Sequence, residues 1–310
     1  MSKGTSFRRR KSIKNWREYN AGLKRRYDLT VWVDDGVFAK PRRQRGQKGR
    51  SRQYVDALIE MGATLKALYR LPYRGTEGMM RSLFRLMGRT DNVPDYTTLN
   101  RRSAALTVAL DLAKREHPVH LVVDTTGLKV YGEGEWKVRQ HGWSKRRTWR
   151  KLHLAVDERT QEIIVSDLTE NSVGDQEYLP ALLEAMPNDM KLRQVSADGI
   201  YDTHECYDTV RRRGARLITP PRKNAVLPPP DTPPHPRHKA IRDCRRMGRK
   251  RWKKKRHYHR RSLSETAMYR FKITFGGNLA ARTLKYQKTE AAVKAKALNK
   301  LRKLARPLYG

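Results

Sequence analysis

The sequence predicts an α/β protein, a mixed central sheet flanked by helices, and three observations carry that prediction. Up to about residue 115 the apolar residues recur at helical spacings, whereas after Pro118 they gather into short β-branched runs. The connector between the second and third runs, Asp157 to Gln161, is short enough for a hairpin. Beyond it, helical and strand-like segments alternate, so an antiparallel meander passes into an α/β alternation.

Taken in order, residues 1–52 form a basic stretch with the clusters Arg8-Arg9-Arg10-Lys11 and Lys24-Arg25-Arg26. From Gly36 to Tyr54 there are seven Lys or Arg and no acid. Such a stretch reads as a partly disordered arm, as an arm that tracks phosphates, or as both; Leu29 to Val33 suggests a small ordered element inside it. Residues 52–115 read as helices. Tyr54, Leu58, Met61, Leu65 and Leu68 recur every three or four residues, a core-facing stripe. A break at Leu71-Pro72-Tyr73-Arg74-Gly75 follows, with Thr76 expected as the N-cap of a second helix that Gly88 ends. After Pro94-Asp95 a third helix carries Thr98, Leu99, Arg101 and Arg102. This pair of helices resembles a helix-turn-helix, and equally any three-helix bundle; the first reading makes Arg101 and Arg102 DNA contacts.

The strands follow: His120 to Val123 ending at Asp124, then Lys151 to Val156 and Ile163 to Leu168. A helix around Tyr178 to Met186 leads to a strand from Leu192 to Ala197 ending at Asp198. Next come a helix from about Thr203 to Arg213 and a fifth strand from Ala215 to Thr219. Residues 220–241 hold more than half of the fifteen prolines and predict no regular element. Arg242 to Arg261 carries twelve Lys or Arg against one Asp, an insertion that is either a solvated loop or a DNA clamp ordered on contact. A further helix holds Glu265, and a basic helix spans Leu279 to Leu304. The expected division is a basic, helical DNA-binding region (1–115), a catalytic domain (118–280) with the insertion at 220–257, and a C-terminal helix (281–310).

Charge narrows the partner. A net charge of +38, from 69 Lys and Arg against 31 Asp and Glu, repels itself unless it meets a polyanion. Nucleic acid fits best, because each neutralised phosphate releases condensed counterions. No apolar run approaches a membrane span, and MSKGTSFRRRKS lacks the apolar core of a secretory signal. Cys206 and Cys244 show neither a disulfide pattern nor zinc spacing, which fits a reducing cytoplasm and no structural metal.

Three acids stand out by position. Asp124 precedes Thr125-Thr126-Gly127 and Asp198 precedes Gly199, each after a strand-like run. Either could simply be a turn residue. On the late helix, however, Tyr258, Arg261, Glu265 and Lys272 are spaced by 3, 4 and 7 residues. They fall within roughly 60° of one face at about 100° per residue. Two strand-end aspartates and one helical glutamate are the donor set of a two-metal phosphoryl-transfer site, since crowded carboxylates favour Mg²⁺. Asp157 reads as a hairpin residue, Asp175 as a helix N-cap and Asp202 as a supporting group near Asp198. Trp136, Trp143 and Trp149 interleave with Lys145, Arg146, Arg147 and other cations, which suits bases stacking on indole or a hairpin with buried tryptophans.

These residues resemble a known family. Tyr258-x2-Arg261-x3-Glu265-x6-Lys272 matches the signature helix of bacterial insertion-sequence DDE transposases of families four and five. VVDTTGLKVYGEGEW around Asp124 looks like the first-aspartate motif of family five, and SADGIYD around Asp198 like the second. His141-Gly142, RRTWRKLHLAVD, NWREYN and PDYTTLNRR are similar as well. The resemblance implies an RNase H-like catalytic fold, with Asp124, Asp198 and Glu265 holding two Mg²⁺ ions, for which Mn²⁺ substitutes. It implies a bacterial, nucleoid-associated enzyme that binds its own terminal inverted repeats as a homodimer or higher oligomer. That enzyme cuts the element's end and joins it to target double-stranded DNA. Tyr258, Arg261 and Lys272 would hold phosphates beside the scissile bond, and no membrane is involved. The alternatives are a stand-alone metal-dependent nuclease and a non-enzymatic basic nucleic-acid-binding protein.

Overall fold

The computed structural model describes residues 12–41, 53–90, 92–130 and 149–309. At its centre lies one sheet of six strands: β1 (Val119–Val130), β2 (Trp149–Asp157), β3 (Ile163–Glu170), β4 (Leu192–Ser196), β5 (Arg216–Ile218) and β6 (Asn278–Leu279). The strand order is β3-β2-β1-β4-β5, with β6 pairing against the far end of β1. β2 pairs antiparallel with both β1 and β3, the latter as the hairpin-length connector requires. β4 runs parallel to β1 and β5 parallel to β4. Parallel neighbours need crossovers, and α5 (Leu179–Glu184) and α6 (His204–Arg212) supply them. This order and direction pattern is the RNase H-like arrangement.

Strand periodicity divides the packing, because successive side chains point to opposite faces. Val119, Leu121 and Val123 of β1 join Ala155, Val165, Leu182, Leu183, Cys206 and Val210 beneath α5 and α6. Leu128, Leu152, Leu154 and Val156 face the other way. They pack with α2 (Asp56–Tyr69), α3 (Tyr73–Leu86), α4 (Tyr96–Ser103), α9 (Ser262–Phe275) and α10 (Leu284–Leu304). Leu154 and Phe271 are fully buried in this second core, and such side chains each contribute about 1.5–3 kcal/mol. The boundary expected near residue 115 therefore does not divide the core, since Leu58, Leu65 and Met80 share it with the sheet and with Ala295 of α10.

The edges are tied down by specific polar contacts. Asn299, on α10, accepts from Ile163 N and donates to Ile163 O, both at 2.8 Å, and so covers the exposed backbone of edge strand β3. Near the N-terminus, α1 (Trp16–Arg25) crosses the end of α10 closely. A Cβ on Gly22 would lie 2.0 Å from Leu304 O, so only glycine fits there.

Several local expectations are corrected. β1 does not end at Asp124 but continues to Val130. Thr76 is buried inside α3 and donates its hydroxyl to Pro72 O; the helix starts at Tyr73. The segment expected to be irregular becomes helical at α7 (Pro236–Met247), followed by α8 (Arg249–Lys255), with Ile241 and Trp252 buried. Leu279 belongs to β6, and the C-terminal helix starts only at Leu284. Asp175 pairs with Lys151 at 2.9 Å, while the residue preceding α5 is Tyr178.

Candidate active site

Asp124 and Asp198 reach the same end of the sheet because β1 and β4 are parallel neighbours. The last register pair is Val122 with Ser196, and each aspartate lies two residues beyond it. Asp198 leads into a 3-10 turn, Gly199–Tyr201, and its carboxylate accepts from Ile200 N at 2.8 Å. Buried Thr219 donates to Asp198 O, which fixes this turn against the end of β5. Asp124 is half-buried in mid-strand. Its even position turns it toward the face on which α9 packs, opposite Val123 and Thr125.

Tyr258 and Arg261 form a separate 3-10 turn, Tyr258–Arg261, that runs directly into α9 rather than lying on it. Arg261 bridges two acids: one guanidinium nitrogen lies 2.8 Å from Asp124 Oδ2, the other 2.7 Å from Glu265 Oε1. Ser264, fully buried on α9, donates to Asp124 Oδ2 at 3.1 Å, and Thr125 N donates to Asp124 Oδ1 at 3.0 Å. Asp124 and Glu265 thus face a cation, separated by the width of a guanidinium. Among the described residues, the three carboxylates do not yet meet at one point.

Electrostatics mark this as one site. Burial raises the Asp124 carboxyl above its ordinary value against the opposing pull of Arg261, the Thr125 N–H and Ser264, and Asp198 adds to the rise. Burial alone would lower Arg261, yet Asp124, Tyr258, Glu265 and Asp198 together raise it. Burial pushes the Tyr258 phenol up to about 12, with Arg261 opposing and Asp198 and Asp124 reinforcing. The phenol therefore stays protonated near neutral pH and remains a hydrogen-bond donor. Its ring also lies beneath the Lys253 ammonium, 5.2 Å from the centroid.

The site fits a divalent cation by donor chemistry. Asp124, Asp198 and Glu265 offer hard oxygen ligands, and the Arg261 guanidinium already stands as a positive charge between two of them. Glu265 is more than half exposed and can turn toward the aspartates. Lys272 lies on the same helix, two turns beyond Glu265.

Further polar groups gather behind Asp124. Behind Asp124, on the opposite face of the sheet, Thr125 Oγ lies 3.0 Å from His153 Nδ1 and 3.3 Å from the Tyr201 hydroxyl. His153 Nε2 lies 2.8 Å from Thr169 Oγ. Burial pulls His153 down to about 4, so a neutral imidazole sits in this chain. His153 stands in an expected basic strand, where it reads as a phosphate contact or a packed residue, and Ser264 is the neighbour of Glu265, but no spacing in the sequence ties either to Asp124.

Of the other expected contacts, Arg102 is committed to Asp56 and to Tyr54 O (2.6 Å), joining α4 to α2. Arg101 is exposed on α4. Lys145, Arg146, Arg147, Trp136 and Trp143 lie outside the described residues. Asp157 is the hairpin residue expected, accepting from Arg159 N and from the Thr160 hydroxyl. Asp202 is fully buried and paired with Arg237 at 3.0 Å; it also accepts from Arg222 N at 2.9 Å. It anchors the insertion rather than touching Asp198.

Comparisons with known proteins give the family. The solved structure of a piggyBac transposase synaptic complex with hairpin DNA aligns over 94% of this chain and 76% of that one, at 11% identity and a TM-score of 0.40. Models of the transposase DDE domain match residues 24–133 and residues 115–300. The second match contains Asp124, Asp198 and Glu265 and spans most of the chain: the protein belongs to the DDE transposases.

Proposed function

We propose that this transposase binds the terminal inverted repeats of its own element, cleaves their ends and joins them to target DNA, with Asp124, Asp198 and Glu265 as metal ligands. As a DDE transposase the protein is a polynucleotidyl transferase, and enzymes of this family generally use divalent metal ions. The observation that carries the residue assignment is the Arg261 bridge, a built-in cation between two acids contributed by elements far apart in the chain. Mg²⁺ suits the all-oxygen donor set and, when bound, supplies the charge that activates water and steadies the leaving oxygen.

The chain's own groups divide the remaining tasks. Ser264 and the Thr125 N–H fix the orientation of Asp124. Once the carboxylates are otherwise engaged, the Arg261 fork can grip two oxygens of a phosphate. The protonated Tyr258 phenol donates to a phosphate oxygen, and Lys272 adds a point charge from α9. A cleft of about 960 Å³ begins beside Arg260 and carries Arg159, Arg193, Arg216, Arg256 and Arg306, a cationic lining suited to the DNA backbone. Pairing of two element ends calls for a homodimer or larger assembly. No helix among the described residues is long and apolar enough to cross a membrane.

The test is Glu265→Gln with a duplex carrying the repeat end. Because Glu265 is exposed, the variant should fold and bind the end normally while cleavage and joining are lost. Retained cleavage overturns the assignment of Glu265. Cleavage by the wild type without joining of a pre-cut end reduces the enzyme to a nuclease.

A further inference from the structure

We propose that His204, His235 and His238 form a zinc-class metal site that staples the basic insertion to the catalytic core. The three histidines come from two elements. His204 opens α6, which packs on the sheet, whereas His235 and His238 belong to the start of α7 in the insertion. One ligand nitrogen from each lies within 4.8 Å of the other two. The ring centroids of the three pairs are 4.8, 5.3 and 5.3 Å apart. His204 Nε2 and His238 Nε2 are 3.1 Å apart. Two imidazole nitrogens on one tetrahedral zinc, each at roughly 2.0–2.1 Å, would be about 3.3 Å apart. The pair is therefore nearly at ligand spacing.

Burial and charge support the same reading. His238 is only 6% exposed, while His204 is open to solvent, so one ligand is built in and an entry path exists. His235 is held at 3.2 Å by both the Asp208 carboxylate and the Arg237 N–H. Both bonds are long, and a cation taking one ring nitrogen replaces only one of them. Asp208 then serves as the carboxylate that orients a metal-bound imidazole, or as a fourth ligand. The helix start and Arg237 oppose a cation here, but the guanidinium is already neutralised by buried Asp202. Three imidazoles favour Zn²⁺ and Co²⁺ over the Mg²⁺ suited to the carboxylate site. The consequence is mechanical. A metal joining α6 to α7 closes the proline-rich connector and fixes the helices that carry the Arg242 to Arg256 cations. Counting cysteines cannot find such a site.

The experiment uses the full-length, tag-free protein, stripped of metal and kept in millimolar Mg²⁺ so that the carboxylates are occupied. Co²⁺ is titrated while its visible absorption is followed, and Zn²⁺ is then added in competition. One equivalent should bind, show the spectrum of a low-coordinate nitrogen site and be displaced by Zn²⁺. His204→Gln, at an exposed position, should weaken uptake by more than the roughly 10–100-fold typical of losing an orienting partner. Glu265→Gln should leave uptake unchanged. Non-saturating uptake, or uptake indifferent to His204→Gln, overturns the proposal. Uptake abolished by Glu265→Gln overturns it too, by assigning the ion to the carboxylates. None of these outcomes bears on DNA cleavage.

Discussion

Arg261→Gln should destabilise the metal-free protein by about 2 kcal/mol near neutral pH, and Mg²⁺ should return much of that loss. The two ends of the guanidinium are unequal. Toward Asp124 it makes a 2.8 Å charge-assisted contact between side chains that are 21% and 16% exposed. Such a bond contributes about 1.5–3 kcal/mol. Toward Glu265, 59% exposed, the i, i+4 pair contributes only about 0.3–0.5 kcal/mol. The Asp124 contact therefore sets the effect.

The sign with pH follows from Asp124. Burial raises its folded-state pKa, so its stabilising contribution is complete below the unfolded value and is lost as pH rises through the folded one. Removing Arg261 raises the folded pKa further. Variant and wild type should then differ little where Asp124 is protonated in both states, and the gap should widen through the carboxylate range to a plateau near neutrality. Urea unfolding in EDTA, followed by circular dichroism at about pH 4 and about pH 7, reads the gap directly. Repeating the measurement in Mg²⁺ should narrow it, because a ligand that binds only the folded state stabilises it, and the variant lacks the competing guanidinium. A gap independent of pH refutes Asp124 as its origin. A gap that Mg²⁺ leaves unchanged refutes the view that Arg261 stands where the metal's charge belongs.

Three further outcomes are expected. Asn299→Leu leaves Ile163 N and O unpaired at the edge of β3, which costs roughly 2–4 kcal/mol in urea unfolding; near-neutral behaviour would mean that water satisfies them. His153 is neutral when folded and lowered to about 4, so its contribution is present above the unfolded pKa and lost as pH falls toward the folded value. Relative to His153→Gln, the wild type should lose roughly 3 kcal/mol across that window, and parallel acid limbs would contradict this. Affinity for duplex DNA should fall steeply and linearly on a log–log salt plot, and a shallow slope would show that few of the cleft arginines meet phosphates.

What could be read from the chain follows from how local each signal is. The β2–β3 hairpin and the α2 stripe are set by spacing within a few turns, and the structure matches them; the helix of Glu265 also forms, but with Tyr258 and Arg261 on a 3-10 turn before it. β1 misled because Asp124-Thr125-Thr126-Gly127 carries turn chemistry. Gly127 instead admits the Trp149 ring from the neighbouring strand: a Cβ there would meet it at 3.1 Å. The insertion misled because its prolines suggested irregular chain throughout. Pro236 sits in the first turn of α7, where a missing N–H removes no helical bond. Ser264, the Thr125–His153–Thr169 chain and the three histidines needed partners brought from distant segments, and no spacing rule reaches that far.

The Arg261 bridge also bears on why Asp124 sits within a strand rather than at its end. A carboxylate at a strand end could move with its loop, whereas mid-strand Asp124 is held in register by Leu154 of β2, two residues beyond the last β1–β4 pair. Asp198 is nearly as constrained, with its carboxylate on Ile200 N and its carbonyl under Thr219. Glu265 is the exposed member, one turn of helix from the arginine that holds it. If these three acids are the metal ligands, as proposed, two constrained acids and one exposed acid would assemble the site when its cation arrives, with the Arg261 guanidinium compensating Asp124 beforehand. Buried Asp124 would otherwise be protonated over more of the pH range and a poorer ligand. On that assignment, stability without metal and readiness to bind metal would depend on the same side chain, and Arg261 would have to leave the carboxylates before serving a phosphate.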